Sequence, residues 1–309
     1  MARNRLLNIF FALILLWLLP GCREKIDIKL SSSAVRLVVD ARFTNDTTSH
    51  IVKLSRTCDY FDPEIDGIGV SGAEVYITDE RGRRIDFTPV DTMPSWYVSA
   101  PDVYGSMGET YQLHIWADLH GTGMREHYEA QATMPFMPPI DSAKAVYGYP
   151  LPPFGYGKYL GWNLLAYAQD PPTKEYYGFS YAVNGKVYED SITNMFLFPD
   201  NFSAGLYLHG VSMYFFPDPT DEIRDLLKVI LHEGDTLTLI GYSFTEGYND
   251  YISQVREALS SNIPVFSAAP SNIVGNVSKG AFGYFAVYSL AKASCTVGKA
   301  PEIPGLQLR

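Results

Sequence analysis

Positive charge is scarce in this chain: 24 Lys and Arg stand against 34 Asp and Glu in 309 residues, a formal net charge of −10. No basic cluster offsets the deficit, which argues against nucleic acid as a partner, since phosphate recognition needs a concentrated positive footprint. Long apolar runs are missing too. The run over residues 9–19 has eleven residues, about half of the ~20 that a membrane-spanning helix needs. Catalytic signatures are equally sparse. Gly241-Tyr242-Ser243-Phe244-Thr245 lacks the second glycine of a nucleophile elbow, and no zinc-protease helix motif occurs. Paired acids such as Glu189-Asp190 and Asp221-Glu222 sit beside turns and a predicted helix start, where negative charge is favourable in any case. The sequence therefore reads as that of a non-enzyme without a cofactor. Cysteine is limited to Cys22, Cys58 and Cys295.

The first of these cysteines lies in the most informative stretch of the chain. Arg3 and Arg5 form a basic n-region, residues 9–19 form an apolar h-region, and Leu19-Pro20-Gly21-Cys22 ends it with a small residue before a cysteine. That is the pattern of a lipoprotein signal, predicting cleavage after residue 21, a lipid on Cys22 and a polar tether over residues 22–33. Two or more acyl chains hold a protein durably at a bilayer, whereas one does so only marginally. Loss of Arg3 and Arg5 with the leader shifts the formal charge from −10 to −12 and leaves 288 residues. Cys58 and Cys295 then remain as an even pair in an oxidising compartment, available either for a disulfide or as two buried thiols.

The 22 Tyr, 17 Phe and 20 Pro, with only 19% charged residues, point to many short strands joined by Pro and Gly turns. Alternating segments recur at roughly 10-residue spacing over residues 34–134, predicting a sandwich of seven strands. Three prolines within residues 135–139 mark a boundary. A second β-rich domain is predicted over residues 140–298, with a frayed tail over 299–309. Asn184-Gly185 predicts a hairpin turn. Tyr248, Tyr251, Ile252, Val255 and Leu259 recur at helical spacing, predicting an amphipathic helix over 245–260, and a shorter helix is predicted over 221–230. The last strand is predicted over 281–290. Gly67-Ile68-Gly69-Val70-Ser71-Gly72 has the spacing of a dinucleotide fingerprint, but a strand follows it where that motif needs a helix, so its glycines are read as turn residues.

Two groups of side chains stand out as sites. His114, His120 and His127 lie around one predicted hairpin, and a turn centred near His120-Gly121 would set His114 and His127 opposite each other, close enough to share a metal. No Cys or acidic residue at a fixed ligand spacing completes a set, so they read as solvated strand histidines and no metal site is predicted. The aromatic stretch over 147–159 offers Tyr147, Tyr149, Phe154 and Tyr156 as ligand-binding residues, since rings on a loop stack on sugars or peptide side chains at low entropic cost. The alternative is that these rings pack at the domain junction.

Several short segments resemble a known family. Ile26-Asp27 directly after the lipobox, Leu37-Val38-Val39-Asp40, Val70-Ser71-Gly72-Ala73-Glu74-Val75 and Gly108-Glu109-Thr110-Tyr111-Gln112-Leu113 match in order and spacing. So do the helix bearing Tyr248 and Tyr251, Ser271-Asn272-Ile273, and Gly280-Ala281-Phe282-Gly283-Tyr284-Phe285. Together they resemble the Bacteroidota lipoproteins grouped as domain-of-unknown-function family 4249. The polar stretch 275–279 departs from that pattern. The resemblance implies an immunoglobulin-like or transthyretin-like β domain in front and an outer-membrane-associated lipoprotein, on the periplasmic face or the cell surface. It also implies work beside a TonB-dependent receptor or another outer-membrane barrel in nutrient capture or envelope assembly. It carries over no catalytic residue. The expectation is a non-catalytic lipoprotein that binds a ligand or membrane-protein partner, with a surface adhesin or structural envelope component, and then a hydrolase with an unrecognised site, as alternatives.

Overall fold

The protein is described by a computed structural model over residues 35–58, 68–154, 157–188, 191–199, 203–260 and 273–301. In its front half the apolar alternation folds as β1 (Leu37–Thr44), β2 (Ile51–Arg56), the two-residue β3 (Ile68–Gly69), β4 (Glu74–Asp79), β5 (Arg84–Val90), β6 (Met93–Val98), β7 (Thr110–Ala117) and β8 (Glu126–Thr133). The back half supplies β9 (Ser142–Gly148), β10 (Gly161–Gln169), β11 (Tyr176–Val183), β12 (Lys186–Tyr188), β13 (Phe196–Pro199), β14 (Tyr207–Pro217) and β15 (Thr236–Phe244). Helix α1 (Glu246–Ser260) and β16 (Phe282–Thr296) follow. The fold is mainly β, as the composition predicts. Among the described residues no helix is long and apolar enough to cross a membrane.

Period-two burial builds the front core. On β1, Leu37, Val39, Ala41 and Phe43 are fully buried while Val38, Asp40 and Arg42 between them are half-buried. Across from them lie Val75 and Ile77 of β4 and Tyr111, Leu113 and Ile115 of β7. Burial of each aliphatic side chain of this kind contributes about 1.5–3 kcal/mol. The hydrogen-bonded order β16-β1-β2-β6-β5-β4-β7-β8 doubles over so that both stretches share this core, giving a sandwich.

The back core is rich in rings. β9, β10 and β14 form a separate three-stranded sheet. Its Trp162, Tyr214 and Phe216 cluster with Tyr177, Phe179 and Tyr181 of β11. On the other face of β11 and β15, α1 lays Tyr248 and Ile252 against Ile240, Tyr242 and Phe244. A sheet covered on both faces needs apolar residues at every position, and β15 is buried without interruption from Leu239 through Phe244.

One strand belongs to both halves. Residues 282–288 of β16 run parallel to β1, and residues 289–296 run antiparallel to β15. The described residues from Val35 onward form one compact unit. Gly283 permits the close approach: its φ is +91°, and a Cβ there would fall 1.9 Å from the Val39 carbonyl oxygen. Two expectations for this region are corrected. The final strand is longer than 281–290, because Ala291, Ala293 and Cys295 continue the alternation onto the back core. The helix over 221–230 reduces to the 3-10 turn Arg224–Leu226, which buries no residue. There Leu226 is exposed while Val229 and Leu231, two apart, pack on the core, so extended spacing prevails over helical spacing.

The disulfide between Cys58 and Cys295 does not form. β2 and β16 flank β1, with Arg56 opposite Leu37 and Phe282 opposite Val38, so Cys58 lies at the start of β16 and Cys295 near its end. Thirteen residues of strand separate those levels, on the order of 40 Å at ~3.3 Å per residue. A disulfide needs Cα atoms within about 7 Å. Burial raises the pKa of the Cys295 thiol, which makes it an unreactive core residue. Asn184 and Gly185 take φ values of 50° and 84°, the hairpin turn predicted from their pairing. Residues 1–33, the leader and tether with Cys22, lie outside the described residues, as do Tyr156 and residues 302–309 of the tail.

Candidate functional site

The outer face of the front sheet carries the densest functional chemistry. Alternation that sends Val75, Ile77, Leu113 and Ile115 inward must send Glu74, Tyr76, Thr78, Gln112, His114 and Trp116 outward. Register then brings these residues together. Tyr76 pairs with His114, His114 with Glu129, and Trp116 with His127. The Tyr76 and His114 rings stack at 4.7 Å and those of Trp116 and His127 at 4.2 Å. Between the stacks the two imidazole planes lie within 5° of parallel. Nδ1 of His114 is 3.2 Å from Nε2 of His127. At the far end Arg84 lies 3.7 Å over the Tyr76 ring, held there by ion pairs to Glu74 and Asp86.

Neighbouring groups fix the imidazoles. His114 Nε2 meets Thr78 Oγ1 at 3.1 Å. The Glu129 carboxylate lies 3.6 Å from His114 Nδ1 and 3.7 Å from His127 Nδ1, and it accepts from Gln112 Nε2 at 3.4 Å. Burial, and then the neighbouring imidazole, hold His114 below its ordinary pKa, so it is neutral at physiological pH. Ser278 secures Glu129 from outside the sheet: its N–H donates to the Glu129 carbonyl and its Oγ accepts from the Glu129 N–H, both at 2.8 Å. The polar stretch 275–279 thus closes the edge of β8 at this point. Its Asn276 does the same for β16, pairing with both backbone groups of Phe285.

This outcome differs from the sequence expectation in two respects. The hairpin register sets His114 opposite Glu129, so His114 and His127 meet diagonally, and His120 stays apart on the exposed turn. The acidic partner missing from the sequence reading is Glu129. Its signal was present as His127-Tyr128-Glu129, since residues two apart on a strand share a face.

The predicted aromatic loop is largely exposed, and its rings differ in how firmly they are held. Tyr147, next to last in β9, meets Trp162 edge-on at 5.2 Å and donates its hydroxyl to Asp218. Burial, and then that bond, push its pKa up to about 12. Phe154 packs near Phe196 and Tyr214, with ring centroids at 5.8 and 6.4 Å. Tyr149, at 58% exposure, is the most open ring of the three. Buried Asn163 pins the loop, donating to the Tyr149 carbonyl and accepting from the Leu151 N–H, each at 3.0 Å. Of the predicted ligand-binding residues that are described, Tyr149 and Phe154 are exposed, Phe154 less so and near neighbouring rings, while Tyr147 is half-buried and engaged.

Comparison of the whole chain with known families settles its kinship. A family model described as a domain of unknown function, DUF4249, matches residues 23–294. The chain belongs to the DUF4249 family. The match takes in both cores, α1 and all of β16 but its last two residues. The resemblance carried by Leu37 to Asp40 and Gly280 to Phe285 therefore reflects membership. Those two segments cover the start of the parallel pairing of β1 with β16. Comparison with curated proteins gives no significant match.

Proposed function

We propose that this DUF4249 protein is a lipoprotein anchored to the outer membrane through Cys22, with a non-catalytic ectodomain that binds a ligand or a membrane-protein partner. A TonB-dependent receptor is the favoured partner. The carrying observation is Leu19-Pro20-Gly21-Cys22 after an n-region with Arg3 and Arg5 and an eleven-residue apolar run. A tethered body meets its neighbours within reach of the bilayer, so its natural work is contact. The outer face of β4, β7 and β8 supports that role, because Trp116, His127 and Glu129 stand on a rigid sheet with their orientations fixed before any partner arrives. Preorganised rings bind with little ordering cost.

The test is metabolic labelling with a radioactive fatty acid, followed by mild-detergent purification from native membranes. The parent chain should be labelled and should co-purify with an outer-membrane barrel, while Cys22→Ala should lose the label. Equal absence of label in both chains would remove the anchor from the proposal, and failure to recover any barrel after crosslinking would remove the partner.

A further inference from the structure

We propose that His114, His127 and Glu129 form a binding site for a single zinc-class dication on the outer face of β7 and β8. Each residue offers one ligand atom, and these atoms lie within 4.8 Å of one another. The 3.2 Å between His114 Nδ1 and His127 Nε2 matches the edge of a tetrahedron around a metal with Zn–N bonds of ~2.0–2.1 Å, an edge of about 3.3 Å. The Glu129 oxygen at 3.6 Å from His114 Nδ1 stands at a comparable distance. Closing onto an ion replaces the contact between the two ring nitrogens by bonds to the metal and re-aims the near-parallel imidazoles by side-chain rotation.

The surroundings are those a metal centre requires. Ligating imidazoles commonly donate their second N–H to an acceptor that fixes the tautomer, and Thr78 Oγ1 stands at 3.1 Å from His114 Nε2 to take that role. Gln112 holds the carboxylate. Tyr76 and Trp116 cover one face of each imidazole and restrict ring rotation. Two nitrogens and one oxygen favour zinc, copper or nickel over calcium or magnesium, which take all-oxygen sets. His127 and Glu129 are 26% and 44% exposed, so an ion has a route from solvent, and its fourth position faces outward toward water or a donor group from a partner. This inference does not rest on the lipoprotein reading, and labelling of Cys22 leaves it untouched.

The experiment is calorimetric titration of the full chain, free of any histidine tag, with ZnCl2. Visible absorption of the Co2+ form then reports coordination. One ion per chain should bind, with the d–d bands of a four-coordinate site, and excess Ca2+ or Mg2+ should not displace it. His127→Ala and Glu129→Gln lie on the outer face, and each should lower affinity by at least about ten-fold, with Thr78→Val losing on the order of ten-fold through the second N–H of His114. Circular dichroism confirms that each variant is folded; should His127→Ala unfold, Glu129→Gln and Thr78→Val carry the test. Absence of saturable one-to-one binding by the parent chain, or parental affinity in the folded variants, overturns the proposal.

Discussion

Both halves of the molecule bury aromatic rings, but the back core relies on them more heavily and the front half sets a second group of rings on its outer face. In the back half Trp162, Tyr177, Phe179, Tyr181, Tyr214 and Phe216 fill the core. In the front half aliphatic Leu37, Val39, Val75, Ile77, Leu113 and Ile115 share the interior with rings such as Phe43, Phe87, Tyr111 and Phe285, while Tyr76, His114, Trp116 and His127 stand outside on one face. The inward front tyrosines have structural duties: Tyr97 donates to the Val70 carbonyl and accepts from the Ala73 N–H, and Tyr111 donates to Glu109. Ring content alone therefore does not locate a binding surface. Strand register does, by deciding which rings turn outward and which of them meet.

Substitutions on the two sides should separate sharply. Phe216→Ala removes a buried ring from the back core and is expected to lower stability by about 3–5 kcal/mol in urea unfolding. Next comes Gly283→Ala at the junction of the halves, where positive φ and the Val39 carbonyl leave no room for a methyl. A loss of about 2–3 kcal/mol is expected there, and parental stability would show that β1 and β16 do not approach so closely. Asn163→Ala frees the backbone groups of the 149–151 loop and is expected to cost about 1–3 kcal/mol, measured by the same transition. Trp116→Ala, on the outer face, should change stability by no more than ~0.5–1 kcal/mol. A large loss there would mean that the front face is part of the packing.

The mildest lever is pH, acting through His50. Burial is the main reason its pKa is lowered, while its Nε2 meets the Val103 carbonyl at 3.1 Å. The unfolded chain takes up this proton at about pH 6.5, before the folded chain does. The contribution of neutral His50 is thus fully present above that pH and is lost progressively as pH falls toward the folded-state value. Urea midpoints should drop as pH falls below about 6.5, and His50→Phe should remove that component; an unchanged slope in the variant would assign the loss to other groups.

Much of this fold was legible in the sequence because most of its strands alternate cleanly. β7 reads Thr-Tyr-Gln-Leu-His-Ile-Trp-Ala with every second residue buried, and α1 announces itself through Tyr248, Ile252 and Val255. What stayed hidden was non-local. The parallel pairing of β1 with β16 joins residues more than 200 positions apart, and no local pattern specifies it. The segment 221–230 offers apolar residues at both helical and extended spacing, and only the core that receives Val229 and Leu231 decides between them. The site was half visible for the same reason. His127 and Glu129 could be placed on one face from spacing, but the diagonal meeting with His114 depends on a register set by a turn of several residues, whose N–H groups at His120, Thr122 and Gly123 are gathered by Asp118.

The outward face as the contact surface of a membrane-tethered body is tested most directly by placing a photo-crosslinking residue at position 116 in cells that carry the native leader. Illumination is predicted to yield a covalent adduct with an outer-membrane barrel, and the same probe at exposed Ser253 on α1 is predicted to yield none. An adduct from position 253 with none from position 116, or no adduct from either, would contradict it.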